Sequence, residues 1–195
     1  MPKPARTEVA SPRPDAHRTV RVWDLFVRLF HWSLVLSFAV AWFSSHSSET
    51  IHHWAGYAAA ALILMRVAWG VVGTRYARFT QFTRGPRTVL AYLKAIATGS
   101  EARYIGHNPA GGAMVLALIA AMAATALSGW MMTTDIFWGV EWVGKLHDLV
   151  AHGLLLLVGV HVGGVVLASL KHRENLVVAM LTGNKAAPGP ADVDD

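Results

Sequence analysis

The sequence predicts an all-α membrane protein, a bundle of four transmembrane helices. Two observations carry this. Only 15% of the 195 residues are charged while 54% are hydrophobic, where a soluble domain carries about a quarter charged residues. Four apolar stretches also approach or reach the roughly 20 residues that a spanning helix needs. The mean hydropathy of +0.39 excludes a polar disordered chain. The absence of cysteine excludes disulfides, thiolate-held iron–sulfur clusters, covalent c-type haem and cysteine zinc sites. Ten histidines remain as the abundant soft ligands.

The elements follow in chain order. Residues 1–18 hold four of the eight prolines and are expected to be a disordered tail. The transmembrane domain occupies residues 19–183. Its first span, Leu29 to Phe43, is apolar except for His31, and the uncharged stretch runs on to Ser48. It lies behind a long polar segment and lacks a small-residue cleavage site, so it is read as a span and not as a signal peptide. The second, Ile51 to Val72, carries one formal charge, Arg66. Arg87 to Thr98 is too short to span; its apolar face and flanking bases predict a helix lying on the membrane surface. The third span, Ala110 to Thr134, has no charge in 25 residues, and Ala113, Ala117, Ala121 and Thr125 form a small-residue stripe suited to close packing in lipid. The fourth, Leu149 to Leu170, has none in 22 and contains His152 and His161. Residues 184–195, ending Asp-Val-Asp-Asp, are expected to be a second disordered tail.

A pI near 9.9 raises nucleic-acid binding, but the positions of the bases argue otherwise. Lys3, Arg6, Arg13, Arg18, Arg21 and Arg28 precede or open the first span. Arg75, Arg78, Arg84, Arg87, Lys94 and Arg103 fill the link between the second and third, and Lys171, Arg173 and Lys185 follow the fourth. The other two loops offer only Lys145. This is a positive-inside pattern, with both termini cytoplasmic.

Ionisable residues inside a span usually face the bundle interior and mark function. His147 and His161 are fourteen residues apart, four turns less about 40°, so they share a helix face about 21 Å apart in depth. His52 and Arg66 repeat the spacing on the second helix, with Gly56 and Gly70 on the same face. Those glycines are expected to leave room for something large and flat. The alternating helix directions bring His52 level with His147 at the periplasmic side and His31 level with His161 at the cytoplasmic side. Paired imidazoles on different helices of an apolar bundle predict a dihaem b core, each iron held by two nitrogens and suited to electron transfer.

The chain resembles the bacterial cytochrome b561 family, which includes the cytochrome b subunits of nickel–iron hydrogenases. The motifs are Phe30-His31-Trp32, His52-His53-Trp54-Ala55-Gly56-Tyr57 with Leu64-Met65-Arg66, and Gly106-His107-Asn108-Pro109. They continue as Lys145-Leu146-His147-Asp148, Gly159-Val160-His161 and Lys171-His172-Arg173-Glu174-Asn175-Leu176, over residues 20–183. The resemblance implies two haem b groups with bis-histidine ligation by the same four residues, and the family's His-x-x-x-Gly pattern selects His52 over His53. It also implies a quinone as electron acceptor or donor, and a periplasmic redox partner such as a hydrogenase, another dehydrogenase or a cytochrome c.

Each residue also has a plainer reading. Any single membrane histidine can serve as a hydrogen-bonding group; it is the set of four that points to ligands. Arg66 either pairs with a haem propionate or snorkels to the cytoplasmic surface. His46 and His53 read as solvated, and His152 as a packing residue away from the haems. His107 is either a binding residue for quinone or a propionate, or a helix-boundary residue. His172 either lines a cytoplasmic-side pocket or touches headgroups, and His17 carries no assignment. The tryptophans read as interface anchors. Two other functions compete with the electron-transfer subunit. A stand-alone superoxide:quinone oxidoreductase calls for a basic periplasmic mouth, where Lys145 stands alone. A metal or proton transporter predicts no haem absorption, so a visible spectrum separates it from the others.

Overall fold

In the computed structural model, residues 19–194 are described. Among them are four helices long and apolar enough to span a membrane: α1 (Leu25–Ser44), α2 (Glu49–Val72), α5 (Pro109–Met132) and α6 (Glu141–His172). Polar side chains set their starts. Asp24 accepts from Val27 N at 2.8 Å, Ser48 from Ile51 N at 3.4 Å, and Asn108 from Gly111 N at 2.7 Å just ahead of Pro109, each satisfying a donor that a helix end leaves open.

Ser45–Ser48 reverses the chain between α1 and α2, and 133–140 does so between α5 and α6. The tight antiparallel pairs α1–α2 and α5–α6 are joined by packing of α2 on α5. A central apolar cluster of Ala59, Ile63, Met122 and Leu154, with Phe30, Leu34 and Phe38, draws on all four spans. Much of the outer surface is apolar, including Leu36, Phe43, Leu64, Val71, Leu156 and Leu170, as a hydrocarbon environment requires.

Everything else gathers where α1 begins and α6 ends, here called the terminal end; the two short reversals form the far end. Between α2 and α5 run a 3-10 turn (Arg75–Ala77), α3 (Phe79–Phe82) and α4 (Pro86–Thr98). The expected short helix thus forms, and Gly99 ends it at φ 75°, a conformation that glycine adopts without strain. After α6 comes α7 (Leu176–Thr182), closed by Gly183 at φ 88°.

The C-terminal stretch corrects the expectation of a disordered tail. Residues 184–186 form β2, antiparallel to β1 (Thr19–Arg21), and Val193 bridges Tyr104. Ion pairs hold this strap. Arg103 contacts both Glu174 and Asp192, and Lys185 reaches Glu174 at 3.5 Å and donates to Tyr104 O at 3.0 Å. Asp194 accepts from Tyr76 Oη at 2.7 Å. Composition suggested disorder because these charges find partners only after the α4–α5 link has folded. Residues 1–18, the other expected tail, lie outside the described residues.

Candidate functional site

At the far end, His52 of α2 and His147 of α6 come together, ring centroids 6.1 Å apart and ring planes nearly perpendicular at 86°. Each is held by its Nδ1. His52 Nδ1 lies 2.8 Å from Ala41 O on α1. His147 Nδ1 lies 3.1 Å from Thr125 O and 3.1 Å from Ser128 Oγ on α5. A backbone carbonyl only accepts, so the network assigns a proton to Nδ1 in both rings and leaves each Nε2 with a free lone pair. Gly129 makes the approach possible: a Cβ there would stand 3.0 Å from His147 Cε1.

This arrangement suits a metal held between two imidazoles. Imidazole nitrogen binds a transition metal at about 2 Å, so rings on opposite sides of one ion have centroids roughly 6 Å apart. Ligating histidines typically donate their other N–H to a carbonyl or carboxylate, as both rings do here. Gly56, one turn below His52, has nothing within 4 Å of where a Cβ would lie, and the same holds for Gly159 and Gly163 on α6. Gly70 differs from expectation: its space is filled by Phe79, whose ring would stand 2.2 Å from a Cβ.

At the terminal end, His31 of α1 and His161 of α6 lie near enough to interact electrostatically. His31 packs edge-on against Trp32 at 5.1 Å, and its Nδ1 is buried with no hydrogen-bond partner. Arg66 does not snorkel. It is 3% exposed, its guanidinium stands 5.1 Å from the Phe79 ring centroid, and Nη1 is buried without a partner. The acid in its electrostatic range is Asp24, already committed to Val27 N, Thr74 Oγ1 at 2.5 Å and Trp69 Nε1 at 3.1 Å. Despite partial burial, these donors hold the Asp24 carboxyl below its usual range.

His107, in the link before α5, belongs to the same neighbourhood. Its ring packs against Trp23 at 4.7 Å and Phe82 at 4.6 Å. Burial, helped by Arg66 and Lys185, pushes it down to about 3, so the ring is neutral. Its Nδ1 is buried and unpartnered, as is Arg28 Nε.

The remaining histidines stand apart from both pairs. His152 Nδ1 contacts Asp148 O of its own helix at 2.8 Å, and its ring meets Trp42 at 5.4 Å. His53 faces Glu49 at 3.9 Å, and the exposed His46 contacts Ser45 Oγ at 2.9 Å. Among the described residues no three His, Asp or Glu side chains converge as a metal cluster. The sequence reading did not foresee Ala41, Thr125, Ser128 or Gly129 as supports of the far-end pair. Two act through backbone carbonyls, which leave no mark in residue identity, and the Thr125 stripe was read as packing alone.

A histidine pair with free Nε2 atoms inside an apolar bundle, with two further histidines within electrostatic range of each other, is the arrangement of a cofactor-binding membrane protein. A family model described as prokaryotic cytochrome b561 matches residues 22–183. The chain belongs to that family, and is a multi-pass membrane protein that binds haem b and transfers electrons. Comparison with curated proteins and with solved structures gave no match.

Proposed function

We propose that the chain is a dihaem cytochrome b of the bacterial inner membrane, passing electrons between a periplasmic redox partner and the quinone pool of a respiratory chain. The observation that carries this reading is the far-end pair: His52 and His147 face each other with both Nδ1 atoms tied to backbone carbonyls and both Nε2 atoms free. They are the axial ligands of one haem b. His31 and His161 are those of the second, nearer the terminal end.

Haem supplies one-electron chemistry at the iron; the protein supplies ligands, burial and charge. Two imidazoles fill both axial positions, which favours electron transfer over oxygen binding. Arg66 pairs with a propionate of the second haem through the fork geometry of its guanidinium. A fixed positive charge there disfavours the ferric state and raises that haem's potential. Lysines and arginines crowd the terminal end, whereas Lys145 at the far end is paired with Glu141 at 2.6 Å. That asymmetry supports a cytoplasmic terminal end and a far-end pair facing the periplasmic donor.

A pyridine haemochrome assay on purified protein tests the reading. Close to two b haems per polypeptide are expected; a haem-free protein would overturn it and favour a transporter.

A further inference from the structure

The terminal end carries a set of buried polar atoms that its own residues leave unsatisfied. Arg66 Nη1, Arg28 Nε and His107 Nδ1 have no hydrogen-bond partner. A buried polar atom left unpaired costs about 1–3 kcal/mol, more beside a charge, so Arg66 Nη1 and His107 Nδ1, on residues within electrostatic range of each other, point to a group that arrives from outside the chain. The chemistry of that group follows from what is missing. Arg66 and Arg28 are cations, and the neutral imidazole of His107 offers one N–H. The nearby acid, Asp24, already accepts three hydrogen bonds. Asn108, beside His107, is committed to capping α5, whose N-terminus adds further positive potential. Arg28 already donates from its Nη2 to Leu181 O, and a neutral carbonyl would satisfy one further donor while leaving the Arg66 charge unbalanced. A carboxylate, which accepts at both oxygens, satisfies donors and charge together.

We infer that His107 is a binding residue of the terminal-end haem: its Nδ1–H donates to a propionate carboxylate of the group held by His31 and His161, the carboxylate cluster that Arg66 neutralises. This rests on the dihaem reading. The structure fixes the ring for that task. Trp23 and Phe82 both pack against it, Phe82 is 1% exposed, and a Cβ at Gly112 would meet Phe82 O at 2.5 Å, so Phe82 sits tightly against α5. Trp23 is held in turn by the strap, its N–H donating to Gly183 O at 3.1 Å. Residues far apart in sequence thus pack around one imidazole that lies within electrostatic range of both Arg66 and His161.

The experiment is a redox titration of the purified holoprotein, followed in the b-type absorbance bands and by low-temperature EPR of the ferric haems. It compares the wild type with His107→Leu, His107→Asn and His107→Gln. The Asn amide nitrogen falls near the position of Nδ1, whereas that of Gln falls near Nε2. Removing a donor from a carboxylate leaves more negative charge beside the iron. His107→Leu and His107→Gln are therefore expected to lower the potential of one component, with a several-fold higher ferric fraction at fixed ambient potential and a shift of that haem's EPR signal. His107→Asn is expected to keep wild-type behaviour, and the second component to stay unchanged in all. The Asn and Gln variants carry the comparison should the Leu protein not accumulate. Equal shifts in Asn and Gln, or none in any variant, would overturn the proposal while two wild-type b components still stand for the dihaem reading. A wild type with a single component, unaltered in His31→Ala, would overturn both.

Discussion

The two histidine pairs lie in one bundle and share α6, yet they are held in opposite ways. At the far end the protein completes its own hydrogen bonds: carbonyls of α1 and α5 and the Ser128 hydroxyl take both Nδ1 protons. At the terminal end His31 Nδ1, Arg66 Nη1, Arg28 Nε and His107 Nδ1 are buried and unmet. The difference shows two kinds of readiness. The far-end pair is oriented before anything binds, so its tuning lies in ring orientation and ligand basicity. The terminal-end pair lies beside buried unmet polar atoms and the Arg66 cation, so on the dihaem reading its tuning lies in electrostatics.

The widest test of this contrast removes one pair at a time. His161→Ala should abolish the terminal-end haem and leave the other, while His52→Ala should do the reverse. Each variant is expected to retain about half of the haem by pyridine haemochrome and one component in a redox titration. His53→Ala, altering a solvated residue beside His52, should keep both. Loss of the same component in both variants would show that the pairs are wrongly drawn.

A smaller effect separates charge from orientation. Arg66→Leu should lower the midpoint potential of the terminal-end haem by removing a cation beside it, with the far-end potential nearly constant, and Arg66→Lys should shift it less. Full haem occupancy with both potentials unaltered would reduce Arg66 to a packing residue. Conversely, Gly129→Ala crowds His147, where a Cβ would sit 3.0 Å from Cε1. It should perturb the EPR signal of the far-end haem alone.

The smallest expected effect concerns the strap over the terminal end. Burial works against the Glu174 carboxylate, but Lys185, the Ala186 N–H and Arg103 hold its pKa below the ordinary 4.5. Asp192 is likewise held below 3.8 by the Gly189 N–H and Arg103, with His172 adding to the field. A carboxylate with a depressed folded pKa contributes stability that is complete above its unfolded value and lost as pH falls through the folded one. The strap should stay docked at neutral pH and loosen below about pH 4.5, reported by Trp23 fluorescence. Arg103→Gln should move that loosening to higher pH; an acid-insensitive signal would show that backbone pairing of β1 with β2 alone holds the strap.

Much of this protein was legible before folding. Spans, the short fourth helix and the basic terminal end follow from apolar runs and charge placement, because a bilayer demands about 20 apolar residues wherever a helix crosses it. The helical period alone placed His147 with His161 and His52 with Arg66 on common faces. The tertiary structure decided what depends on atoms that residue identity does not record. Backbone carbonyls of Ala41 and Thr125 select the histidine tautomers, Phe79 fills the space at Gly70, and Arg66 is buried where its sequence also allowed snorkelling. The acidic C-terminus becomes a strap because Arg103, Lys185 and Tyr76 reach it only once the chain has closed on itself. A helix carries its periodicity within its own residues, whereas a hydrogen bond or ion pair between distant segments exists only when the fold has brought both partners together.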